Sequence, residues 1–496
     1  MYGWVRTHKI EIFFIAIILI IGSFLRLYHV GDWMHFGQDE GRDAFVIADI
    51  AQNFHVKLLG PAAPNKSPDF HLGPAYYYLL VPFYWLGGSS PGAGATAVAL
   101  FAIFSIVLVY FLSRNFFGTV AGIVSASVYA VSYLMLYYGR WAWNPNIVPF
   151  FILLFFIALY KMSLSTESPR QEKYLYILAL STGILIQLHG TALMTVPIIL
   201  VLFFVLYKPR IHWKKYLIAA LIFIVCTLPL WIYDITNNFD NTKGLFRIIT
   251  QSESGVQITF GERIQRTGEL FSSFWHESLL HSQLGWFFVG LFAVLLIFLA
   301  TQFYHGVKNK TKNAPALLMM LWIIVPLFVF IFYKEAIPIH YFAILFPVPF
   351  IVLGWFVGWL WKQNILREVL VLSIVVLLVW QGAYAVQLLI DLGPGGSRVS
   401  SYQVTLQDMK DVVNFIQQVS IGEPFNFRSE PYGQYNRSYK YLFEQAGCAS
   451  SYIAVPKTYL VTADDQWELP REYADHVTAQ DTFGKARLYT IVLEYF

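Results

Sequence analysis

A cluster of charged residues stands out near the start of a strongly apolar chain. Only 13% of the 496 residues are charged, yet the stretch "HFGQDEGRDAFVIADIAQN" holds Asp39, Glu40, Arg42, Asp43 and Asp49. Its apolar spacing predicts a helix over 38–53, with Asp39, Arg42 and Asp43 on one face. Asp39 and Glu40 then lie at the N-terminus, where the helix dipole favours an ionised carboxylate. An ionised carboxylate can take a proton from a hydroxyl, so the predicted chemistry is general-base catalysis. The alternative interpretation is a solvated loop with ordinary charges.

The composition indicates that this cluster belongs to a membrane protein. The chain is 57% hydrophobic and 18% aromatic, with a mean hydropathy of +0.54. A soluble domain cannot bury that much apolar surface, so lipid must cover part of it. Residues 10–30 lack a small-residue cleavage site after the apolar run, which predicts a retained span and not a removed signal peptide.

Eleven apolar segments approach the ~20 residues that a spanning helix needs. They are 10–30, 94–113, 118–138, 146–161, 174–189, 190–207, 216–233, 284–303, 314–333, 340–360 and 367–390. The stretch "GPAYYYLLVPFYWLGG" (73–88) is apolar but too short, and we expect a juxtamembrane or re-entrant helix there. The predicted fold class is an α-helical polytopic membrane protein.

The distribution of Lys and Arg predicts the orientation of the chain. Most basic residues of the short loops fall on the side that includes the N-terminus, which the positive-inside rule makes cytoplasmic. The outside segments are then 31–93, 139–145, 234–283, 334–339 and the tail from about 391. The chain is therefore predicted to be a multi-pass protein of the plasma membrane, with the acidic cluster on the outside.

The tail has a different composition from the rest of the chain. "DLGPGGSRVSS" is typical of a linker. After it, "TLQDMKDVVNFIQQV" and "SYKYLFEQAG" have helical patterns, and "KTYLVTA" and "ARLYTIVLEY" have strand patterns. Residues 391–496 are therefore predicted to form a small extracytoplasmic α/β domain that follows a transmembrane module over 1–390.

The second outside loop, "YYGRWAWNPN" (137–146), places Arg140 among four aromatic residues. Aromatic residues at this depth usually form the interfacial belt, and an arginine there can simply snorkel. The functional interpretation is that Arg140 binds a phosphate at the headgroup level.

Other polar residues at span ends are weaker candidates. His189 and His340 either face a substrate cavity or make structural hydrogen bonds. Lys66 and Lys334 are plausible phosphate partners. The acids around Asp39 show no D-x-D or EF-hand pattern, so we expect neither a metal nor a cofactor.

Several of these stretches resemble the GT-C glycosyltransferases, in particular the protein O-mannosyltransferases and the lipid A aminoarabinose transferases. "DEGRDAFVIADIAQ" resembles their first-loop DE motif, and "HLGPAYYYLLVPFYWLGG" resembles their first-loop juxtamembrane helix. "LSRNFFGTVAGIVSASVYAVSYLMLYYGRWAWNPN" is similar to their second and third spans with the following loop. The resemblance covers residues 1–160 well, the later spans by layout, and the tail only vaguely.

The resemblance implies roles for individual residues. The first-loop aspartate that activates the acceptor corresponds to Asp39, with Glu40 orienting or binding the acceptor beside it. The second-loop arginine that contacts the donor phosphate corresponds to Arg140. Two departures are Asn144-Pro145-Asn146, where many relatives have an acid, and His340-Tyr341, where many have Arg-Tyr. The expected site consists of Asp39 and Glu40 as catalytic residues, of Arg140, Arg42, Lys66 and His340 at the donor phosphate, and of Tyr77, Trp143, His189 and Tyr341 around the substrate cavity.

The expected function is transfer of a sugar, with inversion, from a polyprenyl-phosphate donor to an acceptor hydroxyl outside the membrane. Nucleotide sugars are not expected there, so the donor is lipid-linked. The acceptor is a glycan, a lipid or a protein, and no nucleic acid is involved. The alternatives are a flippase for a lipid-linked saccharide, and a transferase of pyrophosphate-linked oligosaccharides, which needs a metal site.

Overall fold

The apolar runs form long helices, because a helix pairs its own backbone groups where no water is available. The computed structural model describes residues 9–62, 70–164, 168–250, 259–281, 285–308, 314–333, 337–364, 367–394, 396, 404–430, 433, 435–448, 457–462 and 467–492. The helices of the first half are α1 (Lys9–Leu27), α2 (Gln38–Asn53), α3 (Ala75–Leu86), α4 (Pro91–Phe117), α5 (Thr119–Val131), α6 (Tyr133–Tyr138), α7 (Val148–Leu164), α8 (Ser168–Leu188), α9 (Gly190–Tyr207) and α10 (Trp213–Thr236). Those that follow are α11 (Asp240–Thr250), α12 (Phe260–Leu279), α13 (Gly285–Lys308), α14 (Ala314–Phe332), α15 (Val348–Lys362) and α16 (Arg367–Leu392).

Most of the predicted spans are present as long apolar helices. In the described part of the chain, eight helices are long and apolar enough to cross a membrane. The short 3-10 helix Ile339–Leu345 and α15 meet at 48° and together give up to nine. The predicted span 118–138 is divided into α5 and α6, and the predicted span 174–189 corresponds to α8, which ends at Leu188. A mostly helical, multi-pass membrane fold is confirmed, whereas the number eleven stays a prediction.

The division between α5 and α6 occurs at Ser132, whose backbone leaves the helical conformation at φ −58° and ψ 128°. Buried protein groups satisfy the atoms that the break exposes. The Ser132 hydroxyl donates to the carbonyl of Ser278 at 2.9 Å, and the Tyr133 N–H donates to the side chain of Gln381 at 3.0 Å. A break at membrane depth is tolerated where neighbouring helices supply such partners.

The two helices of the first loop, α2 and α3, pack against each other. With 12 residues, α3 is roughly 18 Å long, well short of a hydrocarbon core of about 30 Å. Its polar side-chain ends bind α2: the Tyr77 hydroxyl donates to Asp43, and the Trp85 indole donates to the carbonyl of Ala51. The expected short helix is therefore present, and it supports the helix with the acids.

The described part of the tail contains two longer helices, a one-turn helix and a four-stranded sheet, as the patterns predict in outline. The elements are α17 (Leu406–Ser420), β1 (Asn426–Glu430), α18 (Asn436–Gln445), β2 (Lys457–Thr462), the one-turn helix α19 (Arg471–Ala474), β3 (Val477–Phe483) and β4 (Ala486–Val492). The strand order is β1-β2-β4-β3, with β1 and β2 parallel and the other pairs antiparallel. The predicted strands correspond to β2 and β4, and β1 and β3 were not predicted.

Candidate functional site

The helix that carries the acids, α2, starts at Gly37 with an unusual cap. Gly37 is the N-cap residue, and the side chain of Glu40 reaches back to its N–H at 2.9 Å. Glycine has no side chain to bind the free N–H groups of the first turn, so the capping oxygen comes from Glu40. Asp39 lies in the same turn, and its side chain is 48% exposed.

Arg42 joins two carboxylates on one face of α2, as the spacing predicts. Its Nη1 lies 2.8 Å from Asp39 Oδ1, and its Nε lies 2.8 Å from Asp43 Oδ1. Asp43 is buried and also accepts a hydrogen bond from the Tyr77 hydroxyl at 3.0 Å. Burial works against the charged guanidinium, but the carboxylates of Asp43 and Asp39 together outweigh it, so the pKa of Arg42 lies above its usual value. Arg42 is therefore a fixed cation beside Asp39.

Glu40 points away from solvent and connects the first outside loop with the second. It is 4% exposed, and its second oxygen accepts the indole N–H of Trp141. His35 lies 3.7 Å from the carboxylate, and burial lowers the pKa of this histidine to about 3, so its ring is neutral. Burial, and then the nearby charge of Asp39, raise the pKa of Glu40 to about 8. The expectation that the helix dipole keeps both acids ionised is therefore wrong for Glu40, because desolvation outweighs the dipole.

A series of ring contacts, the aromatic row, runs from the Glu40 carboxylate to the 3-10 helix that precedes α15. Trp141 stacks on Trp143 with centroids 4.8 Å apart, and Trp143 contacts His340 at 4.4 Å. His340 in turn lies 5.9 Å from His189 and 4.9 Å from Tyr341. Four predicted site residues, three from the substrate cavity and one from the donor phosphate site, are thus brought together although they lie in three separate segments. They are Trp143, His189, His340 and Tyr341.

His189 also caps a helix. Its Nδ1 accepts from the N–H of Thr191 at 3.3 Å and lies 2.9 Å from the Thr191 hydroxyl. A neutral imidazole that accepts at Nδ1 carries its proton on Nε2. His189 therefore presents an N–H donor at the N-terminus of α9, where the helix dipole favours an anion.

Arg140 occupies a different environment from the one the sequence suggested. Its side chain is fully buried. The guanidinium donates to the main-chain carbonyls of Leu25, Arg26 and Tyr28 at 2.8, 3.1 and 2.8 Å. These carbonyls lie at and just beyond the C-terminus of α1, where free carbonyls need donors. The geometry supports a structural role for Arg140, and its predicted contact with a donor phosphate stays a prediction.

The remaining candidates divide into two groups. Tyr77 contacts Asp43 and Arg42 contacts Asp39, so both belong to the acid cluster. Lys66 and Lys334 lie outside the described residues. No three histidine, cysteine or acidic side chains in the described ranges are grouped so that they could hold a metal ion.

Three residues of this arrangement were not among the predicted site residues: Asp43, His35 and Trp141. Asp43 had a usable signal, because it follows Asp39 by four residues and shares its helical face. His35 and Trp141 had none, since their contact, with ring centroids 4.7 Å apart, joins segments that are remote in sequence.

Part of the chain matches a known protein family, and its fold matches solved structures. The family model of dolichyl-phosphate-mannose-protein mannosyltransferases matches residues 68–233. The apo structure of ArnT from Cupriavidus metallidurans is similar over 99% of this chain and 98% of that one, with a TM-score of 0.58 and 12% identity. An archaeal oligosaccharyltransferase, AglB from Archaeoglobus fulgidus in complex with an inhibitory peptide and a dolichol-phosphate, is similar over 92% of this chain and 70% of that one, with a TM-score of 0.52 and 13% identity.

The chain has the GT-C glycosyltransferase fold. The resemblance seen in the sequence is confirmed, and the matching family and the structural neighbours are glycosyltransferases, which is the class of enzyme predicted from the sequence. The family match includes Tyr77 and Arg140 of this chain but begins after α2. ArnT has also been solved bound to undecaprenyl phosphate, and that structure covers 98% of both chains with a TM-score of 0.58 and 13% identity. No curated protein is similar enough in sequence to be matched to this chain.

Proposed function

We propose that this GT-C protein transfers a sugar from a polyprenyl-phosphate donor to an acceptor hydroxyl on the outer face of the membrane, with Asp39 as the general base. The observation that carries the proposal is the difference in exposure among three neighbouring acids. Asp39 is about half exposed, whereas Glu40 and Asp43 are 4% and 1% exposed. Only a carboxylate that an acceptor can reach is able to take its proton.

The surroundings of Asp39 suit a base. Arg42 binds one oxygen, Oδ1, and is itself anchored by buried Asp43. The guanidinium thereby fixes the orientation of the Asp39 carboxylate, with Nη1 held 2.8 Å from Oδ1. Among the hydrogen bonds of the described residues, this is the only one to the side chain of Asp39. Its second oxygen is thereby available to the acceptor.

The reaction follows as a single displacement. Asp39 takes the proton as the acceptor oxygen forms a bond to the anomeric carbon. The bond between that carbon and the phosphate oxygen breaks, and its electron pair leaves with the lipid phosphate. The anomeric centre is inverted because attack and departure occur on opposite faces.

The donor phosphate is assigned to the end of the aromatic row. His189 presents an N–H there, His340 lies 5.9 Å from it, and α9 begins at the same point. Hydrogen-bond donors that are already in place stabilise charge that grows on a leaving phosphate. Trp143 and Tyr341 border the histidines and offer ring faces to the sugar. Undecaprenyl phosphate bound to ArnT and dolichol-phosphate bound to AglB support a lipid phosphate as the ligand of this fold.

The test uses purified protein in nanodiscs and follows release of free lipid phosphate. We expect turnover, or slow hydrolysis without the true acceptor, with a polyprenyl-phosphate sugar and none with nucleotide sugars. Movement of the lipid between liposome leaflets without turnover would support a flippase instead. Turnover with a nucleotide sugar would contradict both functions.

A further inference from the structure

The C-terminal domain touches the helix of the acids at its first residues. Ser438 of α18 is fully buried, and its hydroxyl donates to the carbonyl of Gly37, the N-cap residue of α2. The same carbonyl accepts the N–H of Gly41 at 2.9 Å, which closes the first turn. Next to Ser438, the N–H of Arg437 lies 3.4 Å from the side-chain oxygen of Gln38. The turn that contains Asp39 therefore has its cap bound by a residue from the far end of the chain.

The approach of the two helices is closest at Gly41. A Cβ atom added at Gly41 would lie 2.6 Å from both the nitrogen and the hydroxyl of Ser438. Glycine inside a helix costs about 0.5–1 kcal/mol relative to alanine. This glycine is explained by the close contact, because any side chain would push α18 away from the cap.

Further contacts hold the domain on the same segment. The N–H groups of Leu406 and Gln407, at the start of α17, donate to the carbonyls of Met34 and Asp32 at 3.0 and 2.9 Å. Lys410 lies 3.3 Å from the carboxylate of Asp32. The segment that leads into α2, from Asp32 to Gly37, is thus bound by α17 at its start and by α18 at its end.

We propose that the C-terminal domain is a working part of the active site, and that Ser438 is a positioning residue that sets the first turn of α2 and with it the direction of the Asp39 side chain. This inference rests on the proposed role of Asp39. The catalytic carboxylate lies two residues from the bound carbonyl, so a shift of the cap moves it directly. Misplacing a catalytic group by about 1 Å can cost roughly 100-fold in rate.

The main test compares Ser438→Ala and Gly41→Ala with wild type and with Glu444→Gln, which lies on the exposed side of the same helix. We expect Ser438→Ala to lower kcat about tenfold with the donor KM unchanged, since positioning acts on the transition state and not on donor binding. Gly41→Ala should lower kcat further. Hydrogen exchange of the backbone amides at residues 40–42 should become faster in both variants. Glu444→Gln should match wild type in both measurements.

Reversing the charges of the Asp32–Lys410 pair tests whether docking of the C-terminal domain matters for activity. It distinguishes an effect of docking from a general loss of stability. Lys410→Asp places two acids together, and the double variant Asp32→Lys with Lys410→Asp restores the pair. Because the pair is partly exposed, we expect a loss of only about two- to threefold in kcat for the single variant. Recovery in the double variant would support docking, and no recovery would contradict it.

The outcomes distinguish this inference from the proposed function. If wild type turns over the lipid-phosphate sugar but Ser438→Ala retains both its kcat and its slow amide exchange, the positioning role is wrong and the proposed function stands. If wild type shows no turnover, the proposed function fails. Amide exchange at residues 40–42 then tests by itself whether Ser438 sets the first turn of α2. Unchanged exchange in Ser438→Ala would contradict the positioning role as well.

Discussion

The indole N–H of Trp141 donates to the carboxylate of Glu40, and this bond joins the acidic helix of the first loop to the aromatic segment of the second. Gly37 donates to the other carboxylate oxygen. Both oxygens of Glu40 are therefore engaged, and its burial leaves no room for an acceptor. Glu40 holds two loops in register, while Asp39, the residue before it, faces solvent.

Glu40→Gln should reduce the dependence of stability on pH. The pKa of Glu40 is raised to about 8 in the folded protein, so between its unfolded value near 4.5 and about 8 the folded state binds more protons than the unfolded state. The stability that the bound proton of Glu40 contributes is complete below about pH 4.5. It is lost as the pH rises towards 8, by up to about 1.4 kcal/mol per pH unit. Glutamine cannot titrate, so melting temperatures of the variant should change less over this range. Parallel curves for the two proteins would show that Glu40 does not titrate there.

Glu40→Gln should also cost less activity than Asp39→Asn, because Glu40 does not touch the acceptor in the proposed mechanism. Glutamine keeps one oxygen acceptor, so either Gly37 or Trp141 loses its partner, at about 1–3 kcal/mol of stability. Glu40→Ala, which removes both acceptors, should be less stable still. Initial rates and melting temperatures of the two variants check this. A complete loss of rate in a stable Glu40→Gln protein would give Glu40 a direct catalytic role.

Arg140→Lys should lower the melting temperature and leave donor affinity unchanged. Lysine cannot span the three carbonyls of Leu25, Arg26 and Tyr28, and each buried carbonyl left unpaired costs about 1–3 kcal/mol. The companion variant His340→Ala should weaken donor binding without this loss of stability. Binding of a labelled lipid phosphate and thermal unfolding measure the two effects. Weaker donor binding by Arg140→Lys at an unchanged melting temperature would restore the phosphate contact predicted from the sequence.

Transfer should persist in the presence of a chelator, with a rate within about twofold of the untreated protein. The acids at the site are already bound by protein donors: Arg42 binds Asp39 and Asp43, and the oxygens of Glu40 accept from Gly37 and Trp141. A divalent cation needs several free carboxylate oxygens. Loss of activity that added Mg²⁺ or Mn²⁺ restores would favour a metal-dependent oligosaccharide transferase.

Cysteine labelling should place the first loop and the C-terminal domain on the same side of the membrane, outside. The two are in contact through Ser438 and Gly37, so they cannot lie on opposite sides. In a background with Cys226 and Cys448 replaced by serine, cysteines at positions 67 and 401 should react with an impermeant reagent added from outside. Cysteines at positions 168 and 309 should not react. The reverse pattern would invert the proposed topology.

The parts of the structure that were predictable depend on neighbours in sequence. The long helices follow from apolar runs, and the Asp39–Arg42 pair follows from i, i+3 spacing. The strands β1 and β3 were missed because "NFRSE" and "VTAQDTF" have no clear apolar alternation. Their place in the sheet depends on pairing with β2 and β4.

The parts that were not predictable depend on remote partners. The contacts of Arg140 could not be predicted, because its partners are main-chain carbonyls, which have no signature in sequence. The raised pKa of Glu40 follows first from its burial, which the position of a residue in a helix does not reveal. Ser438 gave no signal at all, since its partner Gly37 lies at the other end of the chain.

The rate of Asp39→Asn with a polyprenyl-phosphate sugar tests the central claim most directly. Asparagine keeps the shape of the side chain but cannot accept the proton, so we expect transfer to fall by about 100-fold or more. Binding of the lipid-phosphate donor and the melting temperature should stay close to wild type, because the Asp39 side chain is about half exposed. Wild-type transfer by a folded Asp39→Asn protein would contradict the role of Asp39 as the base.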